Sequence, residues 1–256
     1  MSEDGLVDWH SHLLPGLDDG ATSLEEALEI AHLLVSAGFR NVCCTPHRLH
    51  GLYDLSSDQI RQAVAELQRH LERQRIPLTL HAGSEYYVDE FFVDELNDPL
   101  PLGESRYLLL EIPSQGETSM ILGALQQVRG RGLIPLLAHP ERAPLLTRTL
   151  PLTDTSKNSG ISFWRRAAKG DAGRASLPSL LVEMTQLGVK FQGNIGSFSG
   201  YYGEKVRLAA QTLASHGIYH CYGSDAHRLT SLQRYLNSGM AIYHRQELGR
   251  DATPLG

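Results

Sequence analysis

Short apolar runs alternate along this chain with stretches whose apolar residues keep helical spacing. In the first such stretch Leu24, Ala27, Leu28, Ala31 and Leu34 fall on one helical face. Ser23 and Glu26 are set as a capping box ahead of it, and Gly38 follows as a stop. Residues 39–44 then read as a buried strand running into Thr45-Pro46-His47-Arg48. A second helix is predicted over about 58–73, with Ile60, Val64, Leu67 and Leu71 on one face. Strands follow at 78–82, ending in Gly83-Ser84-Glu85, and at 106–112, closed by Pro113. Helices at about 119–131, 178–187 and 203–216 lead to strands at 133–138, 189–192 and 219–222. Between 86 and 96 helical and extended spacing compete.

About seven strands alternate with helices, which is the order of a parallel α/β sheet or barrel. At 256 residues the chain reads as a single domain over 1–256. One stretch breaks the rhythm. Residues 147–176 are polar and carry Lys157, Arg165, Arg166, Lys169 and Arg174. They are expected to form an insertion loop, read as a solvated flap in preference to a lid or partner-binding segment. The tail from about 246 reads as frayed.

Composition narrows the function by exclusion. A net charge of −6 leaves no basic footprint, so nucleic acid is not expected as a partner. No apolar run approaches the roughly 18 residues of a membrane span, and Met1-Ser2-Glu3-Asp4 does not open a secretory leader. A cytoplasmic protein without direct membrane insertion is expected. The three cysteines, Cys43, Cys44 and Cys221, show no Cys-x-x-Cys spacing and read as small buried hydrophobes, with Cys43 and Cys44 on opposite faces of their strand. The positions six residues after them hold Leu49, His50 and His227, so a Cys-x5-Arg phosphatase loop is absent.

The candidate chemistry gathers where strands end. Asp8-Trp9-His10-Ser11-His12 places two histidines on one strand face, with Asp18 and Asp19 just beyond as hard oxygen donors. His47, Glu85, Glu111, His139, and Asp225 with His227 also lie at or just past carboxyl ends of predicted strands, where parallel barrels carry their active sites. Glu111 sits in Leu-Leu-Leu-Glu-Ile-Pro, where a carboxylate must be paired, protonated or metal-bound. Imidazole and carboxylate without thiolate suit Mn²⁺, Fe or Zn²⁺ in a catalytic rather than a structural site. The other seven histidines, His50 among them, read as structural or exposed. Tyr86, Tyr87, Tyr201 and Tyr202 are rim candidates for stacking on a substrate ring, with ordinary packing preferred.

Taken in order, Asp-x-His-x-His, Thr-Pro-His, Gly-Ser-Glu, the apolar strand with its Glu, His-Pro-Glu-Arg and Gly-Ser-Asp-Ala-His resemble the PHP (polymerase and histidinol phosphatase) superfamily. His-x-His-x-Leu-Pro-Gly-x-Asp-Asp-Gly with His-Pro-Glu-Arg and Ser-Asp-Ala-His is similar to its bacterial protein-tyrosine phosphatases of capsule and exopolysaccharide loci. The resemblance spans roughly residues 6 to 230, apart from the insertion. It implies a distorted (β/α)7 barrel holding two or three divalent ions, Mn²⁺ foremost. The ligands it implies are His10, His12, Asp19, His47, Glu85, Glu111, His139, Asp225 and His227, with Glu85 as a bridge and Asp18 as the fallback for Asp19. It assigns phosphate contact to Arg142.

An arginine common in the family after Ser-Asp-Ala-His is replaced here by Leu232, and Arg228 or Arg234 stands nearest. Arg142, His227 and Arg228 are thus the catalytic candidates. The implied reaction is hydrolysis of phosphotyrosine by a metal-bridging hydroxide, with a metal-site water or His227 available to protonate the leaving oxygen. The implied substrate is a phosphotyrosyl protein, foremost a bacterial tyrosine autokinase regulating capsule or exopolysaccharide synthesis. The alternatives are a histidinol-phosphate phosphatase or other PHP phosphoesterase, and a non-catalytic PHP metal-binding module.

Overall fold

The computed structural model describes residues 5–152 and 177–245. Most of the insertion expected at 147–176, and the tail from 246, lie outside the described residues. The strands are β1 (Leu6–Ser11), β2 (Phe39–Cys44), β3 (His47–Arg48), β4 (Thr79–Ala82), β5 (Glu85–Tyr87), β6 (Tyr107–Glu111), β7 (Ile134–Ala138), β8 (Lys190–Asn194) and β9 (Cys221–Gly223). All pair in parallel, in the orders β1-β2-β4 and β3-β5-β6-β7-β8-β9.

Only Thr45-Pro46 separates β2 from β3, and only Gly83-Ser84 separates β4 from β5. Each pair is one strand position broken partway, because proline lacks the N–H that a continuous ladder needs and glycine weakens a strand interior. The segments therefore occupy seven positions. The ring closes between β9 and β1: Asp225 N donates to the His10 carbonyl at 2.7 Å, and His12 N to the Ala226 carbonyl at 3.0 Å. Gly223 permits this seam, since a Cβ there would sit 2.7 Å from His10 N. The result is the expected (β/α)7 barrel, distorted at its two broken strands.

Two apolar layers clothe the ring. Helices α1 (Leu24–Ser36) and α2 (Ser57–Arg73) pack against β2 and β4 through Leu34, Ile60, Leu67, Val42, Cys44 and Leu80. On the other side α4 (Thr118–Gly130), which follows the short α3 (Phe92–Glu95), packs on β6, β7 and β8 through Ile121, Leu125, Leu110, Leu137 and Phe191. Further round come α5 (Pro144–Thr147), α6 (Ser179–Gln186), α7 (Ile195–Ser199), α8 (Glu204–Ser215) and α9 (Leu229–Arg245). A third cluster joins Trp9, Cys43, Tyr107, Leu109, Leu136 and Cys221. Its members come from five strands around the ring and can meet only inside it. Cys43 and Cys44 thus face opposite sides, as the strand period requires. No described helix is long and apolar enough to cross a membrane.

Three local readings change. The ambiguous stretch at 86–96 divides into the end of β5 and the short α3. The capping box at Ser23 is half made: Ser23 accepts from Glu26 N at 3.2 Å, but the Glu26 carboxylate accepts from Thr22 and from Arg228 and Leu229 instead. Helix α9 was not anticipated, although Leu232, Leu236 and Met240 keep its spacing. Gly239 lowers its intrinsic propensity; packing compensates, since a Cβ at Gly239 would meet the Ile195 carbonyl at 2.6 Å.

Candidate metal centre

The strand breaks set up the site. Where β3 and β5 restart, their first residues are His47 and Glu85, and these two are direct register partners. Glu111 closes β6 and faces the same way as Leu109 two residues earlier. His139 follows β7 and Asp225 follows β9, both in left-handed backbone with φ +31° and +54°. Outside glycine such backbone is strained and concentrates at functional sites. A third constraint holds the first loop: a Cβ at Gly20 would meet the His12 carbonyl at 2.2 Å, so only glycine lets Asp18 and Asp19 fold back over β1.

Glu85 is the hub. Its Oε2 lies 3.1 Å from His10 Nε2, 3.2 Å from His12 Nε2 and 3.2 Å from His47 Nδ1. Its Oε1 lies 3.1 Å from His139 Nε2, which is 3.9 Å from Glu111 Oε1. Asp225 Oδ1 stands 3.4 Å from both His10 and His12 Nε2, and 3.3 Å from His227 Nδ1. Asp19 Oδ1 reaches His227 Nε2 at 3.4 Å and His47 Nε2 at 3.6 Å. The nine residues thus form four overlapping groups of ligand-capable atoms: His12, Asp19, His47 and His227; His10, Glu85 and His139; His10, His12 and Asp225; and His47, Glu85 and Glu111. Asp18 turns away from this centre. Its Oδ2 accepts from His12 Nδ1 at 2.6 Å and from His47 N at 2.9 Å, which points His12 Nε2 at Glu85 and Asp225.

The electrostatics ask for cations here. Burial pushes the His10 ring toward neutrality, yet Glu85 and Asp225 override it and lift its pKa to about 9. Burial, then Glu85, raise the Glu111 carboxyl to about 8. Burial, then Arg142, hold the His139 ring neutral, at about 4. With protons as the only cations, His10 and His12 charge and the Glu111 carboxyl stays neutral. Divalent ions among these nitrogens and oxygens would balance the same carboxylates, and the donor set, free of thiolate, fits them.

Arg142 borders the centre. Its Nη1 donates to Asp225 Oδ2 at 2.6 Å, and its guanidinium stacks 4.6 Å over the Tyr202 ring. It lines a cleft of ≈ 170 Å³ with Tyr87, Glu111, Ile112, Ser114, His139 and Ala143. Of the tyrosine candidates, Tyr87 and Tyr202 reach the site, whereas Tyr86 is fully buried and pairs with Arg48. Arg228 does not join the cluster, because its Nε is held by Glu26 Oε1 at 2.9 Å. Leu232 is fully buried in the layer between α1 and α9, a position with no room for a substrate contact.

Two residues of the site escaped sequence reasoning. Gln192 and Asn194 lie at the end of β8, the one of the seven strand positions assigned no candidate. Gln192 Oε1 is 3.0 Å from His10 Nδ1, and Asn194 Nδ2 donates to Asp225 Oδ2 at 2.7 Å. The signal was present: two amides in Phe-Gln-Gly-Asn at a strand end that is otherwise buried.

Comparison with known proteins agrees with this geometry. The tyrosine-protein phosphatase YwqE of Bacillus subtilis is 24% identical over 243 residues, which is 94% of this chain and 85% of that protein. A solved structure from work on YwqE and on CpsB of Streptococcus pneumoniae, metal-dependent tyrosine phosphatases, superposes with a TM-score of 0.74 at 25% identity. It covers 98% of this chain and 89% of that one. The histidinol phosphate phosphatase of Lactococcus lactis, solved with zinc, L-histidinol and phosphate, shares the fold at a TM-score of 0.52 and 13% identity, over 93% of each chain. Residues 6–176 match the family model for capsular polysaccharide synthesis, CpsB/CapC. This chain, with its ring of strand-end histidines and carboxylates, belongs to the CpsB/CapC family.

Proposed function

We propose that this chain is a metal-dependent protein-tyrosine phosphatase, and that residues 1–256 form one catalytic domain. The observation that carries the reading is the convergence of nine imidazole and carboxylate groups beside Arg142, at the mouth of a cleft walled by Tyr87, Ile112 and Ala143. His10, His12, Asp19, His47, Glu85, Glu111, His139, Asp225 and His227 would hold two or three divalent ions, Mn²⁺ foremost, with Glu85 the carboxylate common to most of the histidines. When bound, such ions supply Lewis acidity toward phosphoryl oxygen and a water acidified to near neutrality.

The protein's own groups do the rest. Arg142 binds the phosphate oxygens, and its bond to Asp225 and its stack on Tyr202 hold the guanidinium in place. Tyr87 and Ile112 flank the phenyl ring. His227, still partly open to solvent beside Asp19, protonates the departing phenolate oxygen. A covalent phosphocysteine is not needed. Burial pushes the thiols of Cys43, Cys44 and Cys221 above their ordinary range, so none supplies a thiolate.

The substrate proposed is a phosphotyrosyl protein, foremost a bacterial tyrosine autokinase of capsule or exopolysaccharide synthesis, in the cytoplasm, where free thiols persist. A phosphotyrosyl peptide and histidinol phosphate are assayed with Mn²⁺ and with chelator, on wild type and His139→Ala. Peptide hydrolysis that needs both Mn²⁺ and His139 is expected. A preference for histidinol phosphate would overturn the substrate assignment, and activity surviving chelation and substitution would overturn the metal.

A further inference from the structure

Strand β8 contributes no ligand to the cluster, yet its end lies directly beneath it. Gln192 is fully buried. Its Nε2 donates to the Gly193 carbonyl at 2.6 Å, and its Oε1 accepts from His139 N at 3.4 Å as well as facing His10 Nδ1 at 3.0 Å. The orientation of this amide is not free. A backbone N–H can only donate and a backbone carbonyl can only accept, so turning the amide over would set donor against donor at His139 and acceptor against acceptor at Gly193. Oε1 must therefore face His10, and the only group that satisfies it there is a protonated Nδ1. A proton is thus fixed on His10 Nδ1, and Nε2, which faces Glu85 and Asp225, is the nitrogen left to a metal ion.

We infer that Gln192 is a positioning residue for the metal centre: one amide oxygen selects the His10 tautomer and ties His10 on β1 to His139 after β7. This rests on the proposal that the cluster holds divalent ions. It explains why a fully buried amide sits where the sequence places no ligand. Groups that orient metal-bound histidines through their second nitrogen typically change affinity when removed.

The test titrates metal-stripped wild type, Gln192→Met and Gln192→Glu with Mn²⁺ by calorimetry. It also assigns the His10 ring nitrogens by ¹⁵N NMR in Zn²⁺-loaded wild type. Methionine keeps the volume without a strong acceptor. Glutamate keeps the acceptor but loses the bond to Gly193. Gln192→Met is expected to bind about 10–100-fold more weakly, Gln192→Glu to stay within a few-fold of wild type, and the His10 proton to sit on Nδ1. Unchanged affinity in Gln192→Met, equal weakening in both variants, or a proton on His10 Nε2 would overturn the inference while leaving the metal reading intact. Wild type that takes up neither ion would overturn both. Should Gln192→Met fail to fold, the ring-nitrogen assignment in wild type decides alone.

Discussion

The barrel interior has two halves made from the same strands. Its lower half is apolar: Trp9, Cys43, Tyr107, Leu109 and Leu136 fill the ring, with Trp9 and Tyr107 edge to face at 5.9 Å between centroids. Its upper half, one to four residues further along the chain from them, is a crowd of imidazoles and carboxylates. Leu109 and Glu111 share a face of β6 and belong to opposite halves. The lower half stabilises the fold by burial. The upper half concentrates like charges and strained backbone, and the lower half offsets that cost. Stability and chemistry are thus separated by a single strand repeat.

Substitutions test that separation. The largest effect is expected at the hub: Glu85→Gln should lower phosphotyrosyl-peptide turnover by at least about 10³-fold. Leu109→Ala should cost about 2–5 kcal/mol of stability, while the folded fraction keeps its metal content by mass spectrometry. If Leu109→Ala instead stripped the metal, the halves would be coupled and the comparison would break.

Arg142→Ala should lower kcat/KM by about 10²-fold without changing metal content, and Arg142→Lys should recover part of the loss. The smallest effect belongs to Arg228. Arg228→Ala should leave turnover nearly untouched, because the side chain is committed to Glu26 and an exposed pair contributes only about 0.2–1 kcal/mol.

That pair also gives a pH signature remote from the cluster. Burial pushes the Glu26 carboxyl up, but Thr22 N–H, Arg228, the Thr22 hydroxyl and Leu229 N–H outweigh it and hold its pKa at about 2. A depressed carboxylate stabilises the fold above its ordinary pKa of 4.5 and loses that contribution as pH falls toward 2. The melting-temperature gap between wild type and Glu26→Gln should therefore be widest at neutral pH and close across that acid window. A gap that stayed constant would remove Glu26 as the cause.

Most of the upper half was legible because its residues are costly to bury. A single strand-end histidine has an ordinary structural explanation, but the whole set of strand-end histidines and carboxylates, in ordered motifs, pointed to a family. Gln192 and Asn194 were not legible in the same way. Neutral amides are common at strand ends, and their roles appear only when β8 is set beside β1 and β9. Arg228 was misleading for a related reason: its neighbour His227 faces the cluster, but Arg228 itself sits where the chain enters α9 and meets Glu26 across 202 positions of sequence. Helix α9 was hidden because its glycine is explained by close packing rather than by local preference.

The seam between β9 and β1 joins residues made at very different moments. His10 and His12 leave the ribosome early, while Asp225 and His227 emerge roughly 10–40 s later at ordinary elongation rates. Until β9 docks on β1, the early histidines have Glu85 and His139 to meet but lack two of the carboxylate and imidazole partners that complete their groups. A nascent chain therefore carries only part of a metal site, and full metal uptake becomes a late event that reports the closure of the ring. A chain shortened before Asp225 should accumulate without a complete centre, however well its first strands pair.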